Sequence, residues 1–140
     1  MSEVARTQFA SREFQSIRAK RILLVDDDRI IRQRVRRVLE NELGWICDEA
    51  DNGVDGISKA RALRPDLIVL DLSMPIMNGY DAARVLNREM PTVPVVMMTM
   101  YADAIGKSSR SASSIGVTAI LSKAEGIAAL VGCVREILGS

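Results

Sequence analysis

From residue 21 onward, short runs of apolar residues alternate with longer segments in which apolar residues recur every three or four positions. The short runs predict buried strands, and the longer segments predict amphipathic helices. The predicted strands cover residues 22–25, 45–49, 67–70, 95–98 and 118–121, and the predicted helices cover residues 30–44, 54–63, 80–89, 103–114 and 126–138. Strands that are apolar throughout are typical of a parallel sheet covered by helices on both faces. With right-handed crossovers, this order predicts a doubly wound α/β fold of five strand–helix repeats.

The first 20 residues do not share this pattern. Ala10, Phe14 and Ile17 fall at helical spacing among basic residues, but no strand-like run is present. We expect a frayed leader or a short docked helix here, and a functional basic arm is the third alternative. Residues 21–140 then form one domain, as suits a chain of 140 residues. The serine-rich helix at 103–114 is expected to be the least stable, because serine favours caps over helix interiors.

Composition excludes several kinds of chemistry. The chain contains no histidine, which excludes histidine-based nucleophilic catalysis, histidine-ligated metals and histidine pH switches. Its formal net charge is +1, no apolar run approaches the roughly 20 residues that span a bilayer, and no signal pattern opens the chain. We therefore expect a cytoplasmic protein that neither inserts into a membrane nor binds nucleic acid. Cys47 and Cys133 lie in apolar stretches and are expected to be inert core thiols in a reducing compartment.

Polar side chains follow four of the predicted strands near the point where each strand ends. Asp26 and Asp27 follow the first strand, Asp71 follows the third, Thr99 the fourth and Lys123 the fifth. The carboxyl ends of parallel strands share one edge of the sheet, which is where ligands collect. Crowded carboxylates need a cation, and an oxygen-only ligand set favours Mg²⁺ or Mn²⁺. A lysine and a hydroxyl facing them can bind the oxygens of a phosphoryl group, and an aspartate can be its acceptor.

Each of these residues also has a purely structural interpretation. Asp28 fits the N-cap of the first helix, and the two aspartates before it fit loop carboxylates at a helix start. Taken alone, Thr99 is an ordinary strand-end residue and Lys123 a solvated charge. Asp71 is harder to interpret in this way, because an ionised carboxylate beside a buried strand end needs a partner. These separate structural roles do not explain why all these residues map to the same edge of the sheet, so a shared site is the better interpretation.

Four stretches of the chain resemble the receiver domain of two-component response regulators. They are LVDDD at 24–28, LIVLDLSMPIMNG at 67–79, VVMMT at 95–99 and LSK at 121–123. The resemblance runs from residue 21 to the C-terminus and implies a flavodoxin-like (βα)5 fold with strand order 2-1-3-4-5. It also implies phosphoryl transfer from a phosphohistidine on a sensor histidine kinase or a histidine phosphotransfer protein. A downstream protein would then read the phosphorylated state.

The resemblance assigns roles residue by residue. Asp71 is the implied phosphorylation site, Thr99 would hydrogen-bond the phosphoryl group after transfer, and Lys123 would pair with it. The resemblance also implies a site for Mg²⁺ or Mn²⁺. Its direct ligands would be Asp27, Asp71 and the backbone carbonyl of Ser73, and Asp26 would bind the ion through water. Such a chain assists its own phosphorylation and dephosphorylation but is not a multiple-turnover enzyme. Because the chain ends after the last predicted helix, we also expect no output domain.

The sequence departs from the family pattern around the implied site. Ala124 follows Lys123 where the family usually has a cis proline, so we expect a trans bond at this position. A trans bond is expected to change the direction in which the Lys123 side chain points. Ile120 stands where a Tyr or Phe is frequent, which argues against coupling through an aromatic side chain. Met100 stands where a small residue is common, and we expect it to narrow access to Asp71.

Two further departures concern the water that hydrolyses the phosphorylated state. Ser73 and Tyr101 occupy the positions that the resemblance places beside this water. Neither side chain carries a carboxylate or carboxamide to orient the water as a base would. We therefore expect a long-lived phosphorylated state.

The first helix carries five arginines, which are Arg29, Arg32, Arg34, Arg36 and Arg37. We interpret them as a solvated face rather than a nucleic-acid surface, because the net charge is close to neutral. The family often uses this helix to contact the kinase or phosphotransfer protein. A hypothesis is therefore that some of these arginines help to select that partner.

Two other functions stay open. The departures at Ala124, Ile120 and Met100 allow a receiver-like docking module that is not phosphorylated. Residues 26–28 also allow an Mg²⁺-dependent phosphatase with an aspartate nucleophile, which uses an Asp-x-Asp pair. That class usually continues with Gly and Thr or Val, and it leaves the motif at 71–79 unexplained.

Overall fold

A computed structural model describes residues 19–100 and 116–139 of the chain. The strands and helices in chain order are β1 (Arg21–Val25), α1 (Arg29–Leu43), β2 (Ile46–Ala50), α2 (Gly53–Leu63), β3 (Leu67–Asp71), α3 (Gly79–Glu89), β4 (Val95–Thr99), β5 (Ala119–Ser122), a 3-10 turn (Lys123–Glu125) and α4 (Gly126–Leu138). The five strands form one sheet in the order β2-β1-β3-β4-β5, and every pair is parallel. The predicted α/β fold and its strand order are confirmed. The predicted helix at 103–114 and residues 1–18 of the leader lie outside the described residues.

Helices cover both faces of the sheet, so the core has two layers. Successive strand residues point to opposite faces. On one face, Leu23 belongs to a cluster with Ile57 of α2 and Leu86 of α3. On the other face, Ile22 belongs to a cluster with Leu39 of α1 and with residues of α4. This arrangement makes the fold doubly wound, as predicted.

The prediction that the strands are buried on both faces holds for the three central strands and is wrong for the two edge strands. β2 runs one residue later than predicted, and its Asp48 and Glu49 are half-buried. β5 also runs one residue later, and all four of its residues are half-buried. An edge strand has a neighbour on one side only, so its charged side chains keep access to water. Asp48 pairs with Arg21 at 3.5 Å through its Oδ2, an atom that is itself shielded from water.

The ends of α1 follow the predicted signals. The carboxylate of Asp28 accepts hydrogen bonds from the backbone N–H groups of Ile30 at 2.9 Å and Ile31 at 3.3 Å. The structural role predicted for Asp28 as an N-cap is therefore confirmed. The helix ends at Gly44, whose φ of 67° is a left-handed conformation that glycine adopts without strain.

Both cysteines are free and packed against the core, as predicted for inert thiols. Cys47 is 2% exposed, and burial raises the pKa of its thiol to about 12. Cys133 is half-buried, and burial raises its pKa as well. The thiolate is the reactive form of cysteine, so a raised pKa suppresses reactivity at neutral pH. In the described part of the chain, no helix has both the length and the apolar surface that membrane crossing requires.

Candidate functional site

The loop between β1 and α1 holds two aspartates in different environments. Asp26 is 7% exposed, and its Oδ1 accepts a hydrogen bond from the backbone N–H of Asp28 at 2.8 Å. The backbone N–H of Asp26 donates to the carbonyl of Ala50 at 3.1 Å, which extends the β1–β2 pairing by one residue. Asp27 is exposed. The loop therefore turns one carboxylate into the edge of the sheet and leaves the next one at the surface.

Asp71 is the last residue of β3 and is 3% exposed. The chain turns back directly after it, and the backbone N–H of Gly79 donates to the carbonyl of Leu72 at 2.8 Å. A Cβ atom at Gly79 would lie 2.4 Å from the carbonyl oxygen of Asp71. Because that distance is far shorter than a van der Waals contact, this position requires glycine. The last residue of the 67–79 motif thus has a steric explanation.

The loop between β3 and α3 contains a strained turn. The backbone N–H of Met77 donates to the carbonyl of Pro75 at 2.8 Å, and Ile76 at the centre of this γ-turn has a φ of 71°. A β-branched residue rarely adopts this conformation. The side chain of Ile76 is 80% exposed, so its own packing does not stabilise the turn. The closure of the loop at Gly79, not the preference of Ile76, determines the shape of this segment.

Lys123 begins the 3-10 turn that follows β5. The side chain of Ser122 caps this turn by accepting a hydrogen bond from the backbone N–H of Ala124 at 3.1 Å. Lys123 Nζ lies 3.0 Å from Asp26 Oδ2 and 3.2 Å from Asp71 Oδ1. The described residues contain no cis peptide bond, so the expected trans bond after Lys123 is confirmed. With this trans bond the lysine still points at both aspartates.

Asp26, Asp27 and Asp71, which we call the acid cluster, come together at the edge of the sheet. One carboxylate oxygen from each lies within 4.8 Å of the other two. Oxygens bound to one Mg²⁺ in an octahedron lie about 3 to 4 Å apart, so a small adjustment closes the cluster around an ion. Carboxylate oxygens are the hard donors that Mg²⁺ and Mn²⁺ prefer. The residues therefore fit a divalent cation, and the part that Ser73 plays as a ligand stays a prediction.

The electrostatics of the acid cluster are dominated by burial and by its excess of negative charge. Burial raises the pKa of Asp71, and the charge of Asp26 raises it further, against the opposing effect of Lys123, to about 6. Burial lowers the pKa of Lys123, but its hydrogen bond and ion pair with Asp26, followed by those with Asp71, outweigh burial, so this pKa is raised. Lys123 is thus a cation at neutral pH. The carboxylates around it still repel one another, which favours binding of a further cation.

An open pocket of 510 Å³ leads to Asp71. Its walls come from four of the loops at this edge and consist of Asp27, Asp28, Ile31, Asp71, Ser73, Met100 and Lys123. Met100 is 62% exposed and lines the pocket, and its expected narrowing of access to Asp71 stays a prediction. Ser73 is exposed, and its backbone N–H donates to the carboxylate of Asp71. A group that approaches from solvent therefore reaches Asp71 through this pocket.

The remaining predicted residues lie on or beside β4 and β5. Thr99 is the last residue of β4, is 1% exposed and pairs in register with Ser122. Ile120 is half-buried in β5 and packs against the core. The position where the family often has an aromatic side chain thus contributes an aliphatic core contact. Tyr101 lies outside the described residues.

Sequence reasoning missed a group of charged side chains beside the acid cluster. This group, which we call the arginine brace, consists of Arg32, Arg36, Glu40 and Glu49. Arg32 Nε lies 3.0 Å from Glu49 Oε1, and Arg36 Nη1 lies 2.8 Å from Glu49 Oε2. Arg32 also donates through Nη1 to the backbone carbonyl of Asp26. These contacts join α1 to β2 and reach the loop that carries two of the acid-cluster residues.

The predicted solvated face of α1 is correct for some arginines only. Arg29, Arg34 and Arg37 are exposed, whereas the Arg32 side chain is only 14% exposed. Spacing along the helix could not reveal this difference. Arg32 meets Glu49 only because β2 pairs with β1 in one particular register.

Comparison with known proteins shows which family has this fold. The response regulator receiver domain family matches residues 22–135. A protein-glutamate methylesterase/protein-glutamine glutaminase from Archaeoglobus fulgidus is 34% identical over 106 residues, which cover 76% of this chain and 30% of that protein. The response regulator GacA from Pseudomonas viridiflava is 31% identical over 116 residues, which cover 82% of this chain and 53% of that protein. The chain thus spans only part of the length of these curated relatives.

Solved structures give the same result at the level of the fold. A response regulator receiver domain protein (CheY-like) from Methanospirillum hungatei matches with a TM-score of 0.78 and 27% identity. That match covers 86% of this chain and 94% of the other. The match over residues 22–135, the strand order and the acid cluster at the carboxyl edge of the sheet lead to one conclusion. The chain belongs to the response regulator receiver domain family of two-component signalling.

Proposed function

We propose that this chain is a phospho-accepting receiver, which takes a phosphoryl group onto Asp71 from the phosphohistidine of a sensor histidine kinase or a histidine phosphotransfer protein. The observation that carries the proposal is the setting of Asp71. Its carboxylate is almost buried at the end of an open pocket, 3.2 Å from Lys123 Nζ. It also lies within 4.8 Å of the two other carboxylates of the acid cluster.

In this proposal Asp71 is the nucleophile. One of its carboxylate oxygens attacks the phosphorus atom, so that a P–O bond forms while the P–N bond to the partner's imidazole breaks. The imidazole nitrogen keeps the electron pair of the broken bond. The histidine belongs to the partner, because this chain contains none.

Asp27 directly and Asp26 through water would hold Mg²⁺ or Mn²⁺ beside the acceptor, together with Asp71 and the carbonyl of Ser73. When bound, the cation neutralises charge on the phosphoryl oxygens and aligns them for transfer. After transfer Lys123 pairs with a phosphoryl oxygen instead of the free carboxylate, and the hydroxyl of Thr99 donates to another. Since Ile120 offers no aromatic group, the change at Thr99 is transmitted by the neighbouring backbone or by residues 103–114. A downstream protein reads the result.

The proposal describes a switch and not a multiple-turnover enzyme. Each chain accepts one phosphoryl group and returns to its starting state by hydrolysis. The free cysteines in the core suit a reducing compartment, which supports a cytoplasmic location. The absence of a carboxylate or carboxamide at Ser73 supports slow hydrolysis. A phosphate-release time course should extend well beyond seconds, and complete loss within seconds would contradict a long-lived state.

Intact mass spectrometry after incubation with acetyl phosphate and Mg²⁺ tests the proposal. Wild-type protein should gain one phosphoryl group, Asp71→Asn should gain none, and EDTA should prevent the gain. Asp81→Asn is the matched control, because Asp81 is an exposed aspartate in the first turn of α3 and should not affect labelling.

Two other outcomes would replace the proposal. A wild-type protein that gains no phosphoryl group is a docking module with a receiver fold. A label on Asp26, with continuous phosphate release, indicates a phosphatase with an aspartate nucleophile.

A further inference from the structure

We propose that Arg32 is a positioning residue for the divalent cation site, because it holds the peptide group that joins Asp26 to Asp27. This inference rests on the proposed function, in which these two aspartates hold the cation. It adds a residue of α1 that does not contact the cation itself.

The contacts of Arg32 connect the loop to a neighbouring strand. Its Nη1 donates to the backbone carbonyl of Asp26, which is one end of the peptide group that precedes Asp27. Its Nε donates to Glu49 Oε1 at 3.0 Å. The guanidinium group is planar, so these two hydrogen bonds fix its orientation. The side chain is 14% exposed, and water has little access to compete for either partner.

Glu49 is itself held in place from several directions. Its Oε2 accepts a hydrogen bond from Arg36 Nη1 at 2.8 Å, and Arg36 Nε donates in turn to Glu40 Oε1 at 2.6 Å. The backbone carbonyl of Glu49 accepts a hydrogen bond from Lys59 Nζ. Glu49, which anchors Arg32, is therefore held through both its carboxylate and its backbone carbonyl.

Other parts of the loop are already fixed without Arg32. The carboxylate of Asp26 contacts the backbone N–H of Asp28 and Lys123 Nζ, and the N–H of Asp26 is bonded to β2. The peptide group between Asp26 and Asp27 determines where the exposed carboxylate of Asp27 points. Arg32 bonds to the carbonyl of that peptide group, so it controls the direction of the most exposed member of the acid cluster.

A positioning role and a simple charge effect predict opposite results. The positive charge of Arg32 by itself repels a cation, so its removal should tighten cation binding if charge dominates. If position dominates, removal should weaken cation binding. Loss of a hydrogen-bond partner behind metal ligands typically lowers metal affinity by about 10- to 100-fold.

The test is the Kd for Mn²⁺ of the full chain, measured by electron paramagnetic resonance of free Mn²⁺. We expect Arg32→Met to raise the Kd at least about tenfold. Arg32→Lys keeps the charge but not the planar fork and should fall between Arg32→Met and wild type. The matched control is Arg61→Met, which also removes an ion pair of an arginine, the one with Glu89 at 2.6 Å between α2 and α3, and leaves the contacts of Arg32 and Glu49 in place. It should leave the Kd within about twofold of wild type, well short of the loss expected at Arg32.

A second readout separates positioning from a general loss of structure. The rate of phosphorylation by acetyl phosphate in Arg32→Met should fall at low Mg²⁺ and recover at saturating Mg²⁺. A Kd for Arg32→Met equal to or tighter than wild type overturns the inference. If Arg32→Met does not fold, a wild-type Kd in Arg32→Lys overturns it.

The result also distinguishes this inference from the proposed function. Wild-type protein that binds no Mn²⁺ and gains no phosphoryl group overturns both. Suppose instead that wild-type protein binds Mn²⁺ and gains a phosphoryl group, and that Arg32→Met binds Mn²⁺ equally well. That result overturns only the role of Arg32.

Discussion

The acid cluster and the arginine brace lie side by side at one edge of the sheet, yet their charges are balanced differently. Among the described residues, the ammonium group of Lys123 contacts the acid cluster, which has three carboxylates. In the brace, two guanidinium groups face two carboxylates. Arg32 joins the two groups, because it contacts both Glu49 and the carbonyl of Asp26.

The pKa of Asp71 in the acid cluster and the pKa of Glu49 in the brace move in opposite directions. Burial raises the pKa of Asp71, and the neighbouring charge of Asp26 raises it further, to about 6. Burial also raises the pKa of Glu49, but hydrogen bonds from Arg36 and Arg32 outweigh burial, so that this pKa is lowered. The comparison teaches that the number of cations, not burial alone, determines whether a carboxylate stabilises the fold. The surplus of negative charge costs folding free energy and makes the acid cluster receptive to a cation.

The largest expected effect is that of a divalent cation, which supplies the charge that the acid cluster lacks. At a free Mg²⁺ concentration 100 times the Kd, the free energy of unfolding of wild-type protein should rise by about 2.7 kcal/mol, because the ion binds the native state only. The free energy of unfolding of Asp27→Asn should rise less at the same Mg²⁺ concentration. Urea unfolding followed by circular dichroism, with Mg²⁺ and with EDTA, measures both. Unchanged stability of the wild type would remove the distinction drawn between the two groups.

The second effect is the removal of repulsion inside the acid cluster. In EDTA at pH 7.5, Asp71→Asn should be more stable than wild type by about 2 to 3 kcal/mol, because the variant avoids ionising a buried carboxyl group. The folded-state pKa of Asp71, about 6, lies above its unfolded value of about 3.9. The native state therefore binds more protons than the unfolded state between these values, and wild-type stability falls as pH rises through this window.

The pH dependence provides the control for this prediction. The advantage of Asp71→Asn should be nearly absent at about pH 3, where the carboxyl group is mostly protonated in both states, grow up to about pH 7 and then stay constant. Urea midpoints at several pH values measure it. A variant less stable than wild type at pH 7.5 would show that Asp71 stabilises the metal-free fold after all.

The third effect concerns the brace and has the opposite sign. Glu49→Gln should lower the free energy of unfolding by about 1 kcal/mol at pH 7, because it weakens charge-assisted hydrogen bonds of a side chain that is 24% exposed. The folded-state pKa of Glu49 is lowered, so its contribution is present above the unfolded pKa and is lost as pH falls through the folded pKa. The difference between wild type and Glu49→Gln should accordingly shrink towards pH 3. A constant difference at all pH values would show that packing, not charge, is responsible.

The smallest effect is expected at the outer end of the brace. Glu40 and Arg36 form a pair four residues apart on α1, with side chains 38% and 43% exposed. Such pairs stabilise helices by only about 0.2 to 0.5 kcal/mol. Glu40→Gln should lower the free energy of unfolding by that amount, and the same urea experiment measures it. A loss as large as that of Glu49→Gln would mean that the brace acts as one cooperative unit.

Much of the fold and the acid cluster could be predicted from the sequence because both depend on simple regularities. Apolar runs of strand length alternate with helical spacing, and the carboxyl ends of parallel strands meet at one edge. This is why Asp26 and Asp71, which follow two different strands, are predicted to meet, and in the structure both contact Lys123. The prediction fails where burial depends on the position of a strand in the sheet, as in β2 and β5.

The contacts of Arg32 could not be predicted for a related reason. The sequence predicts a solvent-exposed side chain for Arg32, because the same helix contains five arginines. Only the pairing of β1 with β2 brings Glu49 within 3.0 Å of it. The strained turn at Ile76 is of the same kind, since the closure of the loop at Gly79 overrides the local preference of a β-branched residue.

The sequence by itself determined the order of strands and helices, the cap at Asp28 and the carboxylates that end the strands, because these depend on near neighbours and on periodicity. Tertiary structure alone decided which of the five arginines is largely shielded from water, that Lys123 reaches both Asp26 and Asp71, and how far each carboxylate is neutralised. The physical reason is distance. Charge balance depends on groups that are far apart along the chain and only 3 to 4 Å apart in the fold, where electrostatic interactions act.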